Sequence, residues 1–150
     1  MPENRDDLLR EYRESREKLL AVIDGLDDAA LTERSIDGWS VADHLLHLAT
    51  WDEVRAREVE RISAGHISAW RMTEEQDDAF NALSYDLRRN LTPAQARWEL
   101  ESSRQHLMNA IASATERGLD ASLYGEAGLR SGHEAQHVEW LRNWRQKRGI

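Results

Sequence analysis

The chain carries six histidines, His44, His47, His66, His106, His133 and His137, and no cysteine. His133 and His137 stand at i and i+4, so on a helix their rings project side by side. At about 100° per residue, Leu129, Trp140, His133, Trp144 and His137 share an arc of about 80°. Both imidazoles therefore fall on the face that should be buried. On an upstream helix beginning at Val41, His47 lies at one edge of the apolar arc that holds Leu45, Leu48 and Trp51. Burying three imidazoles costs free energy unless each finds a partner. A shared divalent ion satisfies all three, because zinc and similar ions bind neutral imidazole nitrogen. Three protein ligands with an open fourth position describe a catalytic site; a structural site is closed. The ordinary alternative is a buried histidine bonded to its neighbours, and for any one of the three alone it is the better reading. His44, one turn before His47, competes with it as a ligand. His66 and His106 read as surface residues.

The segment His133-Glu134-Ala135-Gln136-His137 also matches H-E-x-x-H, in which two histidines hold zinc and the glutamate activates water. The longer protease form needs Gly and His where Trp140 and Asn143 stand. The third ligand must then come from upstream, where His47 is best placed. Glu134 is either a solvated carboxylate on the helix face or a base near the metal. Asp52 sits among apolar positions, an expensive place for a carboxylate. It either serves a ligand histidine and handles protons, or pairs with Arg55 or an arginine of a neighbouring helix. Arg130, close to His133, is the best candidate for gripping an anionic group of a substrate. Trp51, Trp140 and Trp144 read as core or pocket wall, and Trp98, off its helix's apolar stripe, as a contact for a neighbouring helix or a homodimer.

These residues need helices to position them, and the 3.6-residue period recurs along the chain while strand alternation does not. The first helix spans about 4–25, with Leu8, Tyr12, Ser15, Leu19, Val22 and Ile23 on one stripe. Residues 27–38 read as a loop. Ser40 with Asp43 is a capping-box variant that opens a helix over about 41–62. Thr73 with Gln76 opens a shorter helix ending near 89, and Thr92-Pro93-x-Gln95 opens one reaching about 116. The last helix is expected over about 129–147. Arg142, Arg145, Lys147 and Arg148 make its end basic, which complements the helix dipole. Four long helices and one shorter helix in the connection between the second and third predict a single all-α domain over 1–150, a four-helix bundle.

Composition narrows the function. Without cysteine there are no disulfides, thiolate metal sites or cysteine nucleophiles. Twenty basic against 28 acidic residues give a net charge of −8, which disfavours nucleic acid as a partner. No apolar run approaches the roughly 20 residues of a membrane span, and no secretory signal opens the chain, so a cytoplasmic protein is expected.

The element Gly38-Trp39-Ser40-Val41 followed by His47-Leu48, with His133-x-x-x-His137 downstream, resembles the DinB-like superfamily. That superfamily includes mycothiol- and bacillithiol-dependent enzymes and the N-terminal domain of the mycothiol-dependent maleylpyruvate isomerase. The resemblance implies a four-helix bundle holding nickel or zinc on His47, His133 and His137, with water completing the shell. It also implies a reaction in which the metal activates a low-molecular-weight thiol, such as mycothiol or bacillithiol, or water, for attack on a small electrophile. Thiol S-transfer is the first expectation and metal-dependent hydrolysis the second. A non-catalytic bundle that binds a small molecule around a structural metal is the reading from a different class.

Overall fold

The computed structural model describes residues 1–130 and 132–150. Among the described residues six α-helices run in the order α1 (Arg5–Ile23), α2 (Asp28–Thr32), α3 (Val41–Ser63), α4 (Glu74–Arg88), α5 (Pro93–Ala112) and α6 (His133–Arg148). Two 3-10 turns, Arg117–Leu119 and Ala121–Leu123, lie between α5 and α6. No strand occurs among the described residues. The bundle consists of α1, α3, α5 and α6, with α3 along α5 and α1 along α6. The shorter α4 lies against α3 in the connection between α3 and α5 and buries no residue fully. No helix among the described residues is long and apolar enough to cross a membrane.

The helix starts follow from local chemistry. Ser40 accepts from the Asp43 backbone N–H while the Asp43 carboxylate accepts from the Ser40 N–H, so two otherwise orphaned donors are satisfied. Thr73 with Gln76 and Thr92 with Gln95 close the same reciprocal box on α4 and α5. Pro93 follows its cap at the first helical position, where its missing N–H is no loss.

Three boundaries differ from the sequence reading. The 27–38 segment is not all loop: Asp27 caps the five-residue α2, which buries Leu31. Five residues are too few to show a period. Helix α5 stops at Ala112, and Gly118 belongs to a 3-10 turn. A Cβ on Gly118 would stand 1.9 Å from Ser63 Oγ, so this turn packs directly on the end of α3. Finally, α6 begins at His133, not near 129. The carbonyls of Ala127 and Gly128 accept from Arg55 Nε, and that of Leu129 accepts from the Tyr12 hydroxyl. Gly128 also takes a left-handed φ of 65°. Buried side chains thus claim this backbone before a helix can.

The core is in two parts. One groups Leu8, Tyr12, Ala56, Val59, Leu107 and Ile111. The other groups Leu19, Ile23, Leu45, Leu48, Leu100 and Leu141. Between them, on the same helix stripes, stand Arg16, Asp52 and Arg104, joined by Arg55 and Glu134; all five are buried. A charged layer therefore crosses the bundle at mid-height, touching α1, α3, α5 and α6.

Candidate metal centre

Helix α3 delivers His44 and His47, and α6 delivers His133 and His137. The ligand atoms of His47, His133 and His137 all lie within 4.8 Å of one another. His133 Nε2 is 3.3 Å from His47 Nε2 and 3.0 Å from His137 Nε2. Nitrogens around a tetrahedral zinc, at Zn–N of about 2.05 Å, stand about 3.3 Å apart. The donor set fits a divalent ion in both spacing and chemistry. Burial lowers the pKa of His47 to about 3 and that of His44 to about 4, and it lowers His133 and His137 as well. Mutual repulsion among the rings adds to the shift. The imidazoles are therefore neutral at pH 7, the form that binds metal.

His44 is not a member of this trio. It is buried, and its Nδ1 lies 2.7 Å from His137 Nδ1. It backs the ligand, as a hydrogen-bond partner that fixes ring orientation and tautomer. Trp39 packs edge-on against both His44 and His47, with ring centroids 5.4 Å away, and stacks on Tyr85 of α4 at 5.3 Å. Trp140 packs edge-on against His137 at 4.9 Å. The histidines are thus walled by aromatic rings, which exclude water from one side.

The two carboxylates singled out in the sequence lie in the charged layer next to His133. Asp52 accepts from Arg16 and Arg104, both at 2.9 Å, and from Arg55 at 3.4 Å. The reading that paired it with an arginine is the one the structure supports. Glu134 is buried, not solvated: it accepts from Arg16 and Arg104 at 2.9 Å and from the Ser15 hydroxyl at 2.7 Å. Three guanidinium groups face two carboxylates in this layer. After burial, Arg55 also lowers the His133 pKa, while Asp52 and Glu134 act in the opposite direction. Arg130 lies away from the cluster, its guanidinium paired with Glu3 and Glu11 on the side of α1.

Other residues fall outside the centre. His66 is exposed, and His106 bonds to Glu53 and Glu60. Trp98 stays 67% exposed. The basic end of α6 serves the fold: Arg145 donates to the carbonyls of Val22 and Asp24 at the end of α1, and Arg148 pairs with Glu33.

Sequence reasoning missed Arg16 and Arg104. The signal was present: Arg16 lies four residues after Tyr12 and three before Leu19, and Arg104 holds the same relation to Leu100 and Leu107. An arginine on an apolar stripe needs a buried anion.

Comparison with known proteins now adds the family. The DinB superfamily profile matches residues 11–141. The chain belongs to the DinB superfamily. A crystal structure of an uncharacterised protein from Escherichia coli UTI89 has the same fold, with a TM-score of 0.78 at 16% identity over 100% of this chain and 97% of that one. No curated protein matches the chain. Superfamily members are often metal-binding, and this chain carries a three-histidine cluster that could hold an ion.

Proposed function

We propose that this DinB protein is a divalent-metal-dependent enzyme in which a low-molecular-weight thiol attacks a small electrophile, with water as the alternative nucleophile. One observation carries the reading: three neutral imidazoles from α3 and α6 converge at tetrahedral spacing. Zinc or nickel suits that donor set. A bound divalent ion supplies Lewis acidity, lowering the pKa of a thiol or water and orienting it. The protein has no cysteine, so a thiol nucleophile must come from a cofactor such as mycothiol or bacillithiol. Three neutral ligands leave the ion's double charge intact. This favours an anionic nucleophile at this place. Asp52 and Glu134 are read as positioning residues, since arginines and, at Glu134 Oε1, the Ser15 hydroxyl occupy their oxygens. They hold the arginine layer, and with it the start of α6, in place under His133.

The test begins with untagged protein. Elemental analysis should find about one zinc or nickel per chain, lost in the His47→Ala, His133→Ala and His137→Ala variants. The loaded protein should then turn over with some member of a panel of thiols and electrophiles, and His137→Ala should not. Metal retained after all three replacements, or equal turnover by His137→Ala, would remove the metal from the reaction.

A further inference from the structure

Helix α4 carries a second stripe that its own chain does not use. Ala79, Ala82, Leu83 and Leu87 recur at helical spacing and all are exposed, Leu83 by 58% and Leu87 by 72%. Apolar residues scattered singly over a surface need no account, but several on one stripe do. On the same outer face Glu75 stands in the first turn and Arg89 at the C-cap. Both are exposed, and among the described residues neither side chain makes a hydrogen bond or an ion pair. The opposite face is committed. Phe80 packs edge-on against Trp51 and Trp70 at 5.4 and 4.9 Å, Asn81 accepts from Trp51 Nε1 at 2.8 Å, and Tyr85 stacks on Trp39. Even so, these 15 residues bury none of their number fully, and a helix of that length is marginal without packing.

Read along the helix, Glu75, Ala79, Ala82, Leu83, Leu87 and Arg89 run acid, small, small, large, large, base. That order complements itself when reversed. A two-fold contact uses the same patch on both copies, so it requires this property. With the axis between Ala82 and Leu83, Leu83 of each copy meets Ala82 of the other, Leu87 meets Ala79, and Glu75 meets Arg89. A parallel pairing would instead oppose leucine to leucine and Glu75 to Glu75. We propose that two copies of this chain associate through antiparallel α4 helices in this register. The alanines let the helix axes approach, the leucines fill the space beside them, and two ion pairs set the direction. Each copy offers about 22 Å of helix, so the contact is small and the association weak. The second copy covers α4 from outside and presses it onto Trp39, the ring that packs against His47. Nothing in the pairing requires a metal.

Sedimentation of the full chain at concentrations up to about 1 mM, where weak contacts are populated, tests this. The mass should rise from 17.3 kDa toward twice that value. Leu83→Glu, at an exposed position, should keep the helical spectrum and weaken association by more than about tenfold, because two carboxylates then meet at the axis. Glu75→Arg should weaken it about fivefold, since two exposed ion pairs become repulsive. Adding Arg89→Glu to the same chain should restore it. The chain has no cysteine, so Leu83→Cys introduces its only thiol. Mild oxidation should link that thiol to a second copy, as residues at the axis come within the roughly 7 Å Cα reach of a disulfide. Leu20→Cys on α1 and Trp98→Cys on α5, at residues likewise exposed, should not link. A mass that stays that of one chain at every concentration would overturn the proposal. So would association undiminished by Leu83→Glu, a double charge variant that is not rescued, or a link formed through Trp98→Cys in place of Leu83→Cys.

Discussion

His44 Nδ1 and His137 Nδ1 face each other at 2.7 Å, so one of the two must carry the proton and the other accept it. His137 therefore cannot rotate freely, and its Nε2 is held toward His133 and His47. Partners of this kind alter metal affinity by about 10–100-fold when removed. His44→Phe should weaken zinc by that factor in competition with a chelator and keep one zinc per chain. Loss of the metal altogether would make His44 a ligand, and unchanged affinity would mean that it does not orient His137.

Protonation gives a second prediction, for the metal-free chain. His44 and His47 have folded pKa values of about 4 and about 3, below their ordinary 6.5, because burial disfavours the cation. Between those values and 6.5 the unfolded chain binds protons that the folded chain does not, so stability falls as pH falls. Each fully buried histidine contributes up to about 1.4 kcal/mol per pH unit in that window, and half-buried His47 less. The urea midpoint should drop between pH 7 and pH 5. The drop should be smaller in His44→Phe, which has lost one of the titrating groups. A midpoint flat over that range would show that the imidazoles are not desolvated.

The charged layer predicts large effects from small changes. Glu134→Gln or Asp52→Asn removes one of two charges that balance three buried arginines. Breaking such a network by one partner typically costs about 3–5 kcal/mol, because the remaining charges stay buried. Chemical denaturation should register that loss in both variants. A change under about 1 kcal/mol, the scale of exposed pairs, would indicate that water reaches the layer.

Two glycines allow a paired test of packing. A Cβ on Gly118 would press on the Ser63 hydroxyl, and one on Gly125 would stand 2.1 Å from the Trp70 carbonyl oxygen. Overpacking costs typically about 1–3 kcal/mol. Gly118→Ala should be partly rescued by Ser63→Ala, since a side-chain atom is the obstacle. Gly125→Ala, opposed by backbone, should have no such rescue. Thermal unfolding of the single and double variants reads both outcomes.

Much of this arrangement was legible in the sequence, for identifiable reasons. Long stripes and reciprocal caps such as Ser40 with Asp43 are local, and local signals survive in the fold. The i, i+4 spacing of His133 and His137 likewise needs only a helix. What escaped was set by partners distant in the chain. Leu129 was expected to open α6, but its carbonyl is claimed by Tyr12, 117 residues earlier. Glu134 looked like a surface carboxylate because nothing nearby in sequence answers it; its partners Arg16 and Arg104 come from other helices. The facing of His44 and His137 depends on how α3 and α6 dock, which no single helix encodes.

The pairing of Arg16 with Glu134 has a kinetic consequence. It spans 118 residues, and Arg104 and Asp52 join it from two further helices. Helices form fast and locally, but closing so long a loop delays the contacts that reward it. A collapsed chain in which α6 has not yet met α1 leaves guanidinium groups in an apolar interior without their anions, an expensive state that cannot accumulate. Folding should therefore be all-or-none for its size, with the docking of α6 as the committing event. Because His133 and His137 ride on that helix, the ligand trio comes into being in the same step that closes the bundle.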